Sequence, residues 1–315
     1  MLLDRHCRFV LRHRLRFRPE RNHGVPLSFQ AQHGAPDVEH ALRDAMEAGR
    51  AQLVLRNQDV VALTAIDVRP AQRVAVLLFR RSDPNAATPI FEHQPTRRIR
   101  RADKADDEAV AVSAHLFVNL DGIEGGHPTY RAIMEEVPGL GRSYVHHLIA
   151  DILRNTTYLY TDRRGEQKET YTVLDFYGIK SDKIGDVMAR STIPFVQLVR
   201  PGKLEGFDTE GMVVPRDDKM TLSIKATPEQ AMPVLNRLKD WAFGNDWNDV
   251  LVQVALPERR SRVIPLSRTE DAADVLFIRA EQIDVERPMD PCTETINEEL
   301  TAKAITIFAN ATGWG

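Results

Sequence analysis

The chain has 315 residues, of which 43% are hydrophobic and 28% are charged, the ordinary balance of a globular protein. No stretch approaches about 18 consecutive apolar residues, so the sequence predicts no transmembrane helix, and its start has no pattern of a secretion signal. Cys7 and Cys292 are its two cysteines. Two cysteines make no disulfide framework, so we expect reduced thiols in a cytoplasm.

The formal net charge of −3 hides an uneven distribution. Residues 1–104 contain 19 Lys and Arg against 11 Asp and Glu, a net +8, so residues 105–315 carry a net −11. A basic N-terminal part on an acidic body predicts a surface that binds a polyanion, or docking between oppositely charged surfaces. Solvated surface charge without a partner is the alternative.

Residues 8–18 alternate with a period of two, which predicts a strand with one apolar and one basic face. The apolar face contains Phe9, Leu11, His13, Leu15 and Phe17. The basic face contains Val10 and the arginines Arg8, Arg12, Arg14, Arg16 and Arg18. Duplex DNA would relieve the mutual repulsion of these arginines. Two alternatives remain, an edge strand protected from aggregation by its charge and a disordered start of the chain.

The next elements are a helix after Pro36 and an antiparallel meander of strands at 52–56, 60–68 and 73–79. The apolar run 109–120 predicts a strand buried on both faces, central to a sheet. Two helices are then expected, at 129–136 and 143–155, separated by Pro138 and Gly139.

A second basic cluster lies between the meander and the central strand, on a predicted loop. Its members are Arg80, Arg81, Arg97, Arg98, Arg100, Arg101 and Lys104. Arginine forks fit phosphate oxygens, so this loop is a candidate phosphate clamp. The alternative is local pairing with the acidic residues Asp103, Asp106, Asp107 and Glu108.

The rest of the chain predicts further strands, a helix at 227–243 and a closing helix at 293–310. The apolar stripe of the closing helix either packs on its own sheet or pairs with its copy across a twofold axis. Its members are Ile296, Leu300, Ala304, Ile307 and Phe308. Packing on its own sheet is the commoner outcome, but two basic faces presented together would gain affinity for a long duplex, so we predict a homodimer that binds duplex DNA bivalently. The fold class we predict is α+β, with mainly antiparallel sheets and packed helices in two lobes, a basic lobe 1–161 and an acidic lobe 162–315.

Catalytic patterns are few. Asp162, Glu166 and Lys168 have the order of residues found in a metal-dependent nuclease, where carboxylates hold Mg²⁺, but a hairpin turn explains the same residues. His146 and His147 are adjacent on a helix and project about 100° apart, which does not suit one shared metal. His115 is expected to be a hydrogen-bonded core histidine. We therefore expect no enzyme, no metal site and no cofactor.

Three segments resemble the RexA type of phage-exclusion protein, the DNA-binding half of a prophage defence pair. The first, at 105–122, is ADDEAVAVSAHLFVNLDG. The second, at 203–231, is KLEGFDTEGMVVPRDDKMTLSIKATPEQA. The third, at 271–305, is DAADVLFIRAEQIDVERPMDPCTETINEELTAKAI.

This resemblance implies a mixed α/β protein that dimerises, binds duplex DNA without strong sequence preference and works with a small membrane-protein partner. The arginine-rich first strand has no counterpart in the family, so the resemblance does not locate the DNA-binding surface. The function that we predict is sequence-nonspecific binding of duplex DNA by a cytoplasmic subunit of such a defence system. A nuclease and a non-catalytic assembly subunit are the alternatives.

Overall fold

A computed structural model describes much of the chain in two compact units, Met1–Ile179 with Ala280–Gly315, and Lys180–Arg279. The described residues are 3–22, 24–31, 36–102, 104–123, 125–162, 164–180, 182–184, 192–202, 216–256, 260–266, 268, 271–272, 276–278, 280–310 and 314. The predicted boundary at 161/162 differs from this division. Residues on both sides of it belong to one sheet, and the chain returns to that sheet near its C-terminal end.

The first unit is built on an antiparallel sheet. Its strands are β1 (Cys7–Pro19), β2 (Gln52–Val54), β3 (Val60–Arg69), β4 (Val74–Asp83), β7 (Val110–Asn119), β8 (Thr129–Glu135), β9 (Thr157–Thr161), β10 (Gln167–Gly178) and β17 (Ala280–Asp284). Their order is β2-β3-β4-β7-β8-β1-β10-β9, and β17 pairs with the N-terminal half of β1. Strands β5 (Ile90–His93) and β6 (Arg98–Arg101) form a separate hairpin.

Helices cover both faces of this sheet. Helices α1 (Val38–Glu47) and α2 (Arg142–Arg154) bury their apolar stripes against one face, and the closing helix α4 (Glu298–Ala309) covers the other. Strand β7 contributes to the cores on both faces, because alternate side chains of a strand point to opposite sides of the sheet. Leu116 belongs to the core under α1 and α2, whereas Phe117 belongs to the core under α4. The α+β class predicted from the sequence is confirmed.

Strand β1 lies inside the sheet. It pairs with β8 along one side and with β10 and β17 along the other. The interpretation of this segment as an edge strand is therefore wrong. The prediction that the apolar run at 109–120 is a central strand is correct, because β7 lies between β4 and β8.

Residues 129–136, predicted to be helical, form strand β8 instead. Tyr130, Ala132 and Met134 lie in the core under α1 and α2, while Ile133 lies in the core under α4. This alternation has the period of a strand that is buried on both faces. The three consecutive apolar residues at 132–134 fit a strand and a helix equally well, so the local sequence does not reveal the period and pairing in the sheet determines the structure.

The apolar stripe of α4 packs inside its own unit. Leu300, Ala304, Ile307 and Phe308 are buried with Phe117 and Ile133 of the sheet. The stripe is therefore not available to a second copy, and α4 is not the interface of the predicted homodimer.

The second unit has two antiparallel sheets among its described residues, one of four strands and one in which β11 pairs with β16. Its strands are β11 (Asp182–Lys183), β12 (Thr192–Pro201), β13 (Asp217–Leu222), β14 (Asp249–Leu256), β15 (Arg260–Leu266) and β16 (Leu276–Phe277). Four of them have the order β13-β12-β14-β15, and helix α3 (Pro228–Gly244) shares a core with them. Residues 203–215, which open the second segment of the RexA-type resemblance, lie outside the described residues.

Among the described residues, no helix has both the length and the apolar character needed to cross a membrane.

Candidate nucleic-acid interface

The basic face of β1 is not the solvent-exposed surface that the sequence predicts. Arg8 is 1% exposed, and its Nε lies 2.8 Å from Oε1 of Glu135 on β8. Its guanidinium also donates to the backbone carbonyls of Met289 and Asp290, at 3.2 and 3.0 Å. Arg12 is buried too and forms an ion pair with Glu281 of β17. These two arginines are structural, because both are buried and their guanidinium groups are held by partners within the first unit.

The C-terminal half of β1 is more open. Arg14 is half-buried and donates to the backbone carbonyl of Trp314. Arg16 is exposed, and Arg18 is half-exposed with its Nε 3.2 Å from the carboxylate of Asp175. The predicted row of five arginines thus contains two buried members and three that reach the surface to different extents.

Arg80 and Arg81 are also engaged within the first unit. Arg80 donates to the carbonyl of Thr293 at 3.2 Å. Arg81 forms an ion pair with Asp59, donates to the carbonyl of Gly139, and lies over the ring of Tyr144 with 5.3 Å from Cζ to the centroid. Burial raises the pKa of Asp59, but the hydrogen bonds from Arg81 and Asn57 and the charge of Arg81 outweigh it, and the pKa ends below its usual value. Arg81 therefore stabilises packing and is not free to bind phosphate.

The remaining basic cluster lies on the hairpin of β5 and β6, which we call the arm. Residues 84–109 connect β4 to β7, whose ends Asp83 and Val110 pair in the main sheet, and the arm lies within this connection. All eight strand residues of the arm are exposed. The predicted loop is therefore a two-stranded ribbon. The turn at 94–97 closes it, with the backbone N–H groups of Thr96 and Arg97 donating to the carbonyl of His93.

The register of the arm separates its side chains into two faces. Phe91 pairs with Arg100, and His93 pairs with Arg98, so these four residues share one face. The Cζ atom of Arg100 lies 5.1 Å from the centroid of the Phe91 ring. The other face contains Ile90, Glu92, Ile99 and Arg101.

The arginines of the arm are mostly without acidic partners. Arg97 pairs with Glu92 at 2.7 Å. Within the described part of the chain, Arg98, Arg100 and Arg101 form no ion pair. No ion pair there joins the arm to the acidic residues Asp106, Asp107 and Glu108. Asp103 lies outside the described residues. Lys104 donates to the carbonyl of Pro84 at 2.9 Å, beside the arm. The local neutralisation that the sequence allowed is therefore not observed in this region.

The three residues of the candidate nuclease pattern come together in the turn between β9 and β10. Nζ of Lys168 lies 2.5 Å from Oδ2 of Asp162 and 3.2 Å from Oε2 of Glu166. Oδ1 of Asp162 accepts from the backbone N–H groups of Arg164 and Glu166, at 2.8 and 3.0 Å. The hydrogen bond from Lys168 lowers the pKa of Asp162, and the reverse contact raises the pKa of Lys168. This is the geometry of a hairpin turn in which the ammonium group of Lys168 forms ion pairs with both carboxylates.

The histidines have structural partners. His146 hydrogen-bonds through Nε2 to the carbonyl of Leu174 at 3.0 Å, while His147 is exposed. His115 is buried and hydrogen-bonds to Glu135, as expected for a core histidine. A search of the described residues finds no group of three or more His, Cys, Asp or Glu that is suited to holding a metal.

Comparison with protein-family models, with curated proteins and with solved structures finds no match to this chain. The site is therefore characterised by its geometry alone. Sequence reasoning found the arginines of the arm but missed the ribbon and the aromatic face that includes Phe91. The one local signal is the proline-containing segment at 94–97, which is typical of a turn between two short extended stretches.

Proposed function

We propose that this protein binds duplex DNA without sequence preference, with the arm as its principal contact. The observation that carries the proposal is the exposed ribbon with three arginines, Arg98, Arg100 and Arg101, that have no ion-pair partner among the described residues. An isolated two-stranded hairpin is marginally stable in water, so a polyanion that neutralises this charge also stabilises the arm.

The shape of the arm suits a DNA groove. The major groove of B-form DNA is about 12 Å wide and admits a two-stranded ribbon. In that position, arginines on both faces reach phosphates on the two sides of the groove. Phe91 and the two isoleucines of the arm, 52–70% exposed, contribute apolar contacts with the sugars of the backbone.

The absence of sequence preference follows from the same contacts. Reading a base requires a side chain whose hydrogen-bond donors are held in one orientation, and phosphate contacts alone carry no sequence information. No carboxylate in the described part of the chain orients Arg98, Arg100 or Arg101. The open end of β1, above all Arg16, extends the basic surface.

The resemblance to RexA-type proteins extends this proposal to a biological setting. The protein would be a cytoplasmic subunit of a phage-exclusion system, active as a homodimer and coupled to a small membrane-protein partner. Cys7 and Cys292 are not joined by a disulfide bond, which is compatible with that compartment.

The test is a gel-shift titration of a duplex with the variant Arg98→Glu/Arg100→Glu/Arg101→Glu. We expect it to lose retention of the duplex while its circular dichroism spectrum is unchanged. The matched control is Arg50→Glu/Arg154→Glu/Arg164→Glu, which changes the net charge equally at exposed positions outside the arm. Equal retention by a folded arm variant and wild type would exclude the arm as the DNA-binding element.

A further inference from the structure

The first unit contains a cavity of about 510 Å³ at the end of the sheet, beside the C-terminal end of α4. Its apolar wall includes Val74, Ile123, Ile305 and Phe308, and its polar wall includes Asn119 and Arg131. Binding sites for small molecules have volumes of about 300–1,000 Å³ and combine an apolar lining with a few polar groups. Its volume lies in this range, and its lining, which is open to solvent, is apolar and polar in similar measure. It lies at the Val74–Asn119 end of the β4–β7 pair, whereas the arm connects the opposite ends, Asp83 and Val110.

Arg131 supplies a positive charge to this cavity. It is half-buried on β8, and no carboxylate lies within ion-pair distance of it in the part of the chain that the structure describes. Its observed partner there is the ring of Trp314, with 5.5 Å from Cζ to the ring centroid. A cation–π contact uses the flat face of the guanidinium, and the N–H donors lie in its plane. Those donors therefore remain available to an anion.

A second charge on the cavity wall is already neutralised. The carboxylate of Asp121 lies 2.8 Å from Nε of Arg73. The backbone N–H of Asp121 also donates to Oδ1 of Asn119 at 3.1 Å, which fixes the loop after β7. Arg131 thus has no acidic partner among the described residues, whereas Asp121 is paired with Arg73. This distribution of charge favours a ligand that carries a single negative charge.

We propose that this cavity binds a small apolar monocarboxylate, with Arg131 holding the carboxylate. The forked donors of a guanidinium match two carboxylate oxygens. The body of the ligand lies against Phe308 and the aliphatic side chains of Val74, Ile123 and Ile305. Arg131 is the one cation on the wall without a carboxylate partner among the described residues, so a dianion such as a phosphate monoester would keep one charge without a counter-charge.

The test uses 4-(trifluoromethyl)benzoate as the probe and records its ¹⁹F NMR linewidth during titration with the full-length protein. We expect saturable broadening with wild type and at least about tenfold weaker binding to Arg131→Gln, since a charge-assisted bidentate contact is lost. The neutral probe 4-(trifluoromethyl)benzamide should bind at least about tenfold more weakly than the benzoate for the same reason.

Two further variants distinguish the cavity from the rest of the surface. Arg16→Gln removes an exposed arginine of the neighbouring strand and should leave benzoate binding unchanged. Ala309→Trp places a large side chain in the cavity from an exposed position and should abolish binding without loss of the folded structure. Equal benzoate binding by wild type, Arg131→Gln and Ala309→Trp would overturn the proposal, as would the absence of binding to wild type.

Discussion

The guanidinium of Arg8 and the carboxylate of Glu135 form an ion pair inside the first unit, with 2.8 Å between Nε and Oε1 and side chains 1% and 2% exposed. Glu135 has a second partner, because its Oε2 lies 2.8 Å from Nδ1 of His115. Nε2 of the same histidine lies 3.1 Å from the backbone N–H of Asn297, the residue that caps α4. The start of the chain is thereby connected to the start of its last helix.

Removing the charge of Glu135 should destabilise the protein strongly. Glu135→Gln leaves Arg8 buried without a counter-charge, which costs about 3–5 kcal/mol in the free energy of unfolding. Urea denaturation followed by circular dichroism measures the change. Glu92→Ala removes an exposed ion pair and should cost less than about 1 kcal/mol. A loss below about 1 kcal/mol for Glu135→Gln would mean that the buried pair contributes no more than an exposed one.

The tautomer of His115 follows from its partners. A backbone N–H only donates, so Nε2 accepts from Asn297, and the proton of the neutral ring lies on Nδ1, facing Glu135. His115→Phe keeps a ring that stacks on Phe117, whose centroid is 5.8 Å away, but removes both polar contacts.

We expect His115→Phe to cost about 1–3 kcal/mol, because the Asn297 amide loses its acceptor and the buried Glu135 loses one of its hydrogen bonds. Hydrogen exchange of the Asn297 amide should become faster, since its acceptor is gone. His147→Phe changes an exposed histidine of α2 and should alter stability by less than about 0.5 kcal/mol. Unchanged exchange at Asn297 in the His115 variant would contradict the assigned hydrogen bond.

The main features of the fold follow from local patterns in the sequence. The period of two in β1 and the helical spacing in α2 predict those elements because one period dominates each segment. Strand β8 is not predictable in this way, because its apolar residues face two cores at once. The burial of the arginines of β1 is likewise not predictable from the local sequence. Alternation identifies their face, but only tertiary contacts with distant segments, among them Glu135 and Met289 for Arg8 and Glu281 for Arg12, decide which of these arginines are buried.

The two-stranded structure of the arm is also not predictable from the sequence. Its strands have four residues each, too short for a clear periodic signal, and they bury no apolar face. Sequence reasoning therefore identifies the arginines but not the ribbon that carries them. The carboxylate partner of Arg8 is 127 residues away along the chain, and only the sheet register brings the two together.

Stability should depend on pH through Glu299. The hydrogen bond from Lys303 and those from the backbone N–H groups of Glu286 and Arg287 lower the pKa of Glu299 from 4.5 to about 2. A depressed pKa contributes stability that is fully present above pH 4.5 and is lost as the pH falls towards about 2.

The difference in unfolding free energy between wild type and Glu299→Gln should therefore be constant above pH 5 and should shrink between pH 4.5 and about 2. Urea denaturation at a series of pH values measures it. Glu294→Gln removes one charge at an exposed position and serves as the control. A difference that grows with acidification would contradict the assigned interactions.

The homodimer stays a prediction, and its interface is not the stripe of α4. Light scattering coupled to size exclusion should give a mass of twice 35.7 kDa for wild type. A mass of 35.7 kDa at all micromolar concentrations would exclude the dimer. Deletion of residues 305–315 removes Ile307, Phe308 and Trp314 from the core and should give an insoluble chain. A soluble, folded deletion variant would show that the C-terminal part of α4 is dispensable for the core.

The salt dependence of DNA binding should identify the residues that contact phosphate. Each phosphate that a protein neutralises contributes about −0.9 to the slope of log K against log salt concentration, because condensed counterions are released. If Arg98, Arg100 and Arg101 each neutralise one phosphate, Arg98→Gln/Arg100→Gln/Arg101→Gln should have a slope shallower by about 2.7 for each copy of the chain. Fluorescence anisotropy of a labelled duplex between about 50 and 200 mM salt measures it. Arg50→Gln/Arg154→Gln/Arg164→Gln should retain the wild-type slope. If the arm variant retains the wild-type slope while binding weakens, the three arginines contribute through contacts other than the neutralisation of phosphate.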